Sequence, residues 1–98
     1  MKISSSDSQI SPEELTGVSL IPQYDVLLHN DAVHTMEFVA DCLVQVFGFT
    51  WNKAWAVMYE AHSDEVALCA TEPFEIAEFH RDRLISFGLM STIEEKEA

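Results

Sequence analysis

Positive charge is what this chain has least of: five Lys and Arg stand against seventeen Asp and Glu, giving a formal net charge of −12 at pH 7 over 98 residues. Neutralising phosphates takes clustered Lys and Arg, and only Arg81 and Arg83 lie close together. Nucleic acid and anionic membrane surfaces are therefore excluded as partners, and a cationic partner or ligand group is favoured. Glycine is almost as scarce. Gly17, Gly48 and Gly88 are the whole complement, too few and too scattered for a phosphate-cradling loop. The two cysteines, Cys42 and Cys69, sit in apolar surroundings, which suits buried thiols in a reducing compartment and excludes a disulfide framework. No apolar run approaches the roughly 18 residues of a membrane span, and the serine-rich start has no apolar signal core. A soluble, intracellular protein is expected.

What is present is the material of one globular domain: 48% hydrophobic and 10% aromatic residues against 22% charged. About 100 residues close a single core. Residues 1–21, with four Ser before Gln9 and then Pro12, Gly17 and Ile21, show little period and read as a flexible extension. The core is expected over 22–94, followed by an acidic tail at 95–98.

Within the core, Tyr24 to His29 is rich in strand formers and is stopped by Asn30-Asp31, a pair that favours turns. From Thr35 the period turns helical. Met36, Val39, Leu43 and Phe47 follow one face, Thr35 or His34 offers a cap, and Gly48 a stop. Thr50 caps a second helix whose stripe is Trp51, Ala54, Trp55, Met58, Ala61 and His62. Glu65 to Ala70 reads as a strand, Thr71-Glu72-Pro73 as a helix start, Pro73 to Phe87 as a third helix stopped by Gly88, and Leu89 to Ile93 as a last strand. The order β-α-α-β-α-β predicts an α+β fold, a small three-stranded antiparallel sheet with three helices packed on it.

Four His and two Cys invite a metal or thiol reading, but there is no Cys-x-x-Cys or His-Glu-x-x-His, and His29 and His34 straddle a loop. A nucleophilic thiol needs exposure and a base, and both cysteines look buried. No metal, cofactor or catalytic residue is expected.

The stretch from Leu27 to Val39 is more telling, because Asn30, Asp31 and His34 stand at a strand end just before a helix that opens Met36-Glu37-Phe38-Val39. Loops so placed often carry function. This segment resembles the strand-to-helix signature of the ClpS family, adaptors of the Clp protease that recognise N-degrons. The resemblance extends from Pro22 to Ile93 through Met58, Ala61-His62, the Cys69 strand and Met90 to Glu94. It implies a non-enzymatic adaptor that binds the free α-amine and bulky first side chain of a substrate, Leu, Phe, Tyr or Trp, and delivers it to an AAA+ unfoldase of the ClpA or ClpC type. A bacterial cytoplasm or plastid stroma follows from that role. By resemblance Asn30 and His62 ligate the amine and Asp31 belongs to the acidic pair of the same loop. His34, Met36, Val39, Met58, Ala61 and Leu89 line the side-chain pocket, with Met36 as a gate against β-branched residues. Glu75 and His80 fall on the unfoldase-docking face, and the extension serves the handover. The chemistry is sound, since an ammonium has three donors and needs several converging acceptors beside an apolar pocket.

The chain departs from the family pattern at points that bear on this site. A second Asp that ligates the amine is replaced by Ala32, Thr-Pro before the gate Met by His34-Thr35, and a bulkier aliphatic by Ala61. Ser63-Asp64-Glu65 lacks the usual glycine. A wider pocket with a shifted preference is expected. A module for internal peptides or partner helices is the alternative, and a small metal- or thiol-dependent enzyme ranks third.

Overall fold

The computed structural model describes residues 21–97; the extension assigned to 1–21 lies, but for Ile21, outside them. The elements are β1 (Gln23–His29), α1 (Met36–Phe47), α2 (Trp51–Asp64), β2 (Val66–Pro73), α3 (Phe74–Ser86) and β3 (Ser91–Glu95). The fold is the expected α+β arrangement. The sheet order is β2-β1-β3 with both pairings antiparallel.

Strand alternation decides which face is buried. Val26 and Leu28 of β1 are 0% and 1% exposed, and Ala67 and Cys69 of β2 are buried while Val66 and Leu68 are open. Between Val26 and Leu27 the register skips from Ala70 to Leu68, so Cys69 is the extra residue of a β-bulge. Against this face lie α2 and α3, and α1 packs across both helices. The helix ends are closed as the sequence suggests. Thr35 Oγ1 accepts from the Phe38 N–H and Thr50 Oγ1 from the Lys53 N–H, both at 3.1 Å. Gly48 takes φ +72° and gives its N–H to Val44. Among the described residues no helix is long and apolar enough to cross a membrane.

Two boundaries and one helix face differ from the sequence reading. Thr71-Glu72-Pro73 does not start a helix but extends β2, because Gln23, Tyr24 and Asp25 pair with it and Thr71 Oγ1 donates to Asp25 at 2.7 Å; α3 begins at Phe74. Leu89 and Met90 precede β3. The Leu89 N–H closes the helix on Leu84, and pairing with β1 runs from Ser91 to Glu95. Trp51 is 48% exposed and His62 is also exposed, so neither belongs to the buried stripe of α2.

Candidate functional site

At the end of β1 the chain is held from two sides: the His29 N–H bonds Met90 O at 3.0 Å and the Asn30 N–H bonds Glu65 O at 2.9 Å. Asn30 is thereby fixed where the corner between α2 and β2 meets the approach to β3. Glu65 takes φ +75°, a left-handed conformation that favours glycine. The next turn is built by Asp31. Its Oδ1 accepts from the Val33 and His34 N–H groups at 2.6 and 2.9 Å, and its Oδ2 lies 2.6 Å from His34 Nδ1. That turn delivers the chain to the Thr35 cap, and α1 then presents Met36 and Val39. From the neighbouring helix Met58, Ala61 and His62 face the same space, being three and four apart on one face.

Together these residues line an open cleft of about 270 Å³, solvent at its mouth included, formed by Leu28, His29, Asn30, Asp31, His34, Met36, Val39, Met58, Ala61 and His62. Its floor is apolar and buried: Leu28, Val39, Met58 and Ala61 are all 5% exposed or less. Its rim carries Asn30, His34 and His62, with Met36 at 36% exposure. No hydrogen bond among the described residues engages the Asn30 amide or the His62 ring, whose nearest aromatic neighbour is Tyr59 at 5.9 Å.

The cleft thus gathers Asn30, Asp31, His34, Met36, Val39, Met58, Ala61 and His62, as the sequence reading grouped them. Leu89 does not join them: it is 3% exposed within the core and absent from the lining. His34 joins as a polar wall, stacked on Phe38 at 4.8 Å and 17°. Leu28 and His29 were missed. Their signal was position alone, directly before Asn30 on the strand; His29 Nε2 lies 2.8 Å from Thr92 Oγ1.

The electrostatics distinguish the acidic residue of the cleft from the thiols. Burial disfavours a charged Asp31, but the His34 N–H, the His34 ring and the Val33 N–H outweigh it and hold the carboxyl below its usual range. Burial pushes the Cys42 thiol up to about 11, with Asp41 and Asp31 adding to it. The Cys69 thiol is pushed up to about 12, by burial first and then Glu60 and Glu72. Neither is an available thiolate at neutral pH. Among the described residues no cluster of three His, Cys, Asp or Glu could hold a metal.

The two residues assigned to docking part company. Glu75 is exposed in the first turn of α3. His80 is turned inward, with Nδ1 2.9 Å from Glu72 Oε1 and its ring 4.8 Å from Phe47. Five residues apart on a helix means about 140° of rotation, so one face does not present both. Arg81, beside it, is engaged by Asp82 at 2.9 Å and Glu78 at 3.5 Å.

A family model described as ATP-dependent Clp protease adaptor protein ClpS matches residues 20–92. A ClpS adapter of Synechococcus elongatus is 43% identical over 84 residues, covering 85% of this chain and 88% of its own. One from Nitratidesulfovibrio vulgaris is 47% identical over 72 residues, 74% of this chain and 67% of its own. Among solved structures, Agrobacterium tumefaciens ClpS2 bound to L-phenylalaninamide superposes with a TM-score of 0.70 at 30% identity, covering 76% of this chain and 98% of its own.

Proposed function

The chain belongs to the ClpS family of Clp protease adaptors, and we propose that it holds substrates by a free N-terminus bearing a bulky apolar first side chain and passes them to a Clp AAA+ unfoldase. The observation that carries this reading is the juxtaposition in one cleft of an apolar floor, Val39, Met58 and Ala61, with unengaged acceptors at its rim, Asn30 and His62. A first residue has the matching chemistry and an internal residue does not: an ammonium with three donors directly beside its own side chain. L-phenylalaninamide, the ligand of the Agrobacterium relative, is such a group, a free amine beside a benzyl side chain.

Magnitudes support the division of labour. Burying one Leu or Phe side chain contributes roughly 1.5 to 3 kcal/mol, and hydrogen bonds to a charged amine about 1.5 to 3 kcal/mol each. After the entropic cost of association, affinity in the micromolar range, about −8 kcal/mol, is expected. Met36 and Met58 suit the pocket because an unbranched thioether changes rotamer to fit either a ring or a leucine. Delivery to an unfoldase of the ClpA or ClpC type would use the exposed Glu75, with His80 supporting the helix from within. That role belongs in the compartment of a Clp protease, the bacterial cytoplasm or plastid stroma.

Fluorescence anisotropy with Leu-first and Phe-first peptides, against their N-acetylated and Met-first counterparts, tests the reading. Acetylation is expected to weaken binding at least tenfold. Equal binding of free and acetylated peptides would instead favour a module for internal sequences.

A further inference from the structure

The cleft has a shortage that its chemistry makes plain. An ammonium offers three N–H donors, and Asn30 Oδ1 and the His62 ring supply two acceptors. The position that would supply an adjacent carboxylate is the exposed Ala32. Asp31 is close by but engaged on both oxygens, its side chain 10% exposed.

Its engagement has a consequence for His34. An ionised carboxylate only accepts, so the hydrogen shared at 2.6 Å belongs to His34 Nδ1. In the neutral ring the lone pair then lies on Nε2. No hydrogen bond among the described residues uses that nitrogen. The ring is also held in place: one face stacks on Phe38, and its Cε1–Nε2 edge sits so near Gly88 that a Cβ there would meet both atoms at 3.3 Å. The His34 side chain is 28% exposed, and it lines both the cleft and the adjoining open hollow of Ala32, Val33, Gly88 and Met90.

We propose that His34 Nε2 is the third acceptor for the substrate's α-ammonium, with Asp31 acting through the ring as its positioning residue. Asp31 fixes the tautomer and keeps a negative charge one imidazole away from the bound cation. Three donors then meet three acceptors, from Asn30, His62 and His34. The inference rests on the reading of the cleft as a terminus site, and it makes His34 a ligand of the amine and not only a wall of the side-chain pocket.

The test begins on the wild-type protein. Long-range 1H–15N NMR of the histidine rings at pH 7.5 should show His34 as the Nδ1–H tautomer, with its Nε2 resonance moving when a Phe-first peptide is added. His34→Phe preserves the stack on Phe38 but has no acceptor, and should bind the free-amine peptide about tenfold more weakly while leaving the weak binding of the acetylated peptide unchanged. Asp31→Asn, whose amide can donate to Nδ1, should move the hydrogen to Nε2 and weaken free-amine binding similarly. The proposal falls if the wild-type Nε2 resonance is indifferent to saturating peptide, or if a folded His34→Phe protein binds within twofold of wild type. In either case, wild type that still prefers the free amine leaves the terminus reading standing. Wild type without that preference brings down both.

Discussion

Glu65 sits in a conformation that its side chain disfavours, and replacing it with glycine should stabilise the protein. Its φ of +75° caps the C-terminus of α2, a region where a Cβ crowds the following carbonyl at a cost of roughly 1 to 2 kcal/mol. Glycine removes that cost but gives back about 0.4 to 1 kcal/mol through the greater freedom of the unfolded chain. The net expectation for Glu65→Gly is a gain of about 0.5 to 1 kcal/mol. With a urea m-value of roughly 1 kcal/mol/M for a small domain, the midpoint should rise by about 0.5 to 1 M. Charge is a competing cause in a chain of net charge −12, so Glu65→Ala is the control: it removes the carboxylate and keeps the strained Cβ. If Ala stabilises as much as Gly, relief of repulsion and not backbone strain is the explanation. If Gly destabilises, the reasoning fails outright. Because the Glu65 carbonyl holds the Asn30 N–H at 2.9 Å, a glycine variant that keeps this corner should retain peptide binding within about twofold.

Asp31 ionises below its usual range in the folded chain, so its stabilising contribution is complete above the unfolded value near 3.9 and is lost as pH falls through the lower folded value. The difference in urea midpoint between wild type and Asp31→Asn should accordingly shrink on going from pH 5 to pH 2.5; a constant difference would count against the assigned pairing. The thiols run the other way. Held neutral, with values near 11 for Cys42 and 12 for Cys69, they stabilise below the unfolded value near 8.5 and lose that contribution as pH rises above it, at about 1.4 kcal/mol per pH unit for each thiol. Cys69→Ala should flatten the alkaline decline of the urea midpoint, and an aromatic disulfide reagent should label neither thiol without unfolding. Ala32→Asp should raise affinity for a Phe-first peptide roughly tenfold by adding an ionised acceptor at the rim, and leave the acetylated peptide unchanged; equal gains for both would point to a packing effect.

The elements that local chemistry decides were legible in the sequence. The Thr35 and Thr50 caps, the Gly48 stop and the alternation of Val26 and Leu28 each follow from residues close in the chain. Misplaced boundaries were decided by distant partners. Thr71-Glu72-Pro73 carries the composition of a helix start, yet Gln23 to Asp25 recruit it into the sheet, and Leu89 is drawn into the core by the helix closure on Leu84. The site was legible as a set of residues but not as a division of roles. That Asp31 would fold back on His34, and that His80 would turn toward Glu72, depend on a loop turn and a helix rotation that composition does not encode. The missing glycine was legible as a departure; that Glu65 would tolerate φ +75° was not.

The scarcity of positive charge bears on binding through rate more than through affinity. A field from seventeen acids and five bases attracts an ammonium while it is still in solvent, but at 0.15 M salt it is screened beyond about 8 Å. Inside the cleft, only Asp31 is a carboxylate in the lining, and the acceptors that remain carry no negative charge. Short hydrogen bonds in a partly buried cleft are little affected by added salt, whereas steering is strongly affected. Raising NaCl from 50 to 500 mM should therefore slow association of a Leu-first peptide several-fold and change its dissociation by less than about twofold, measured by stopped-flow anisotropy. Dissociation that accelerates in step with salt would mean that the bound ammonium is held chiefly by solvent-exposed carboxylates, which salt screens, and that the acceptors of Asn30, His34 and His62 do not carry the selectivity.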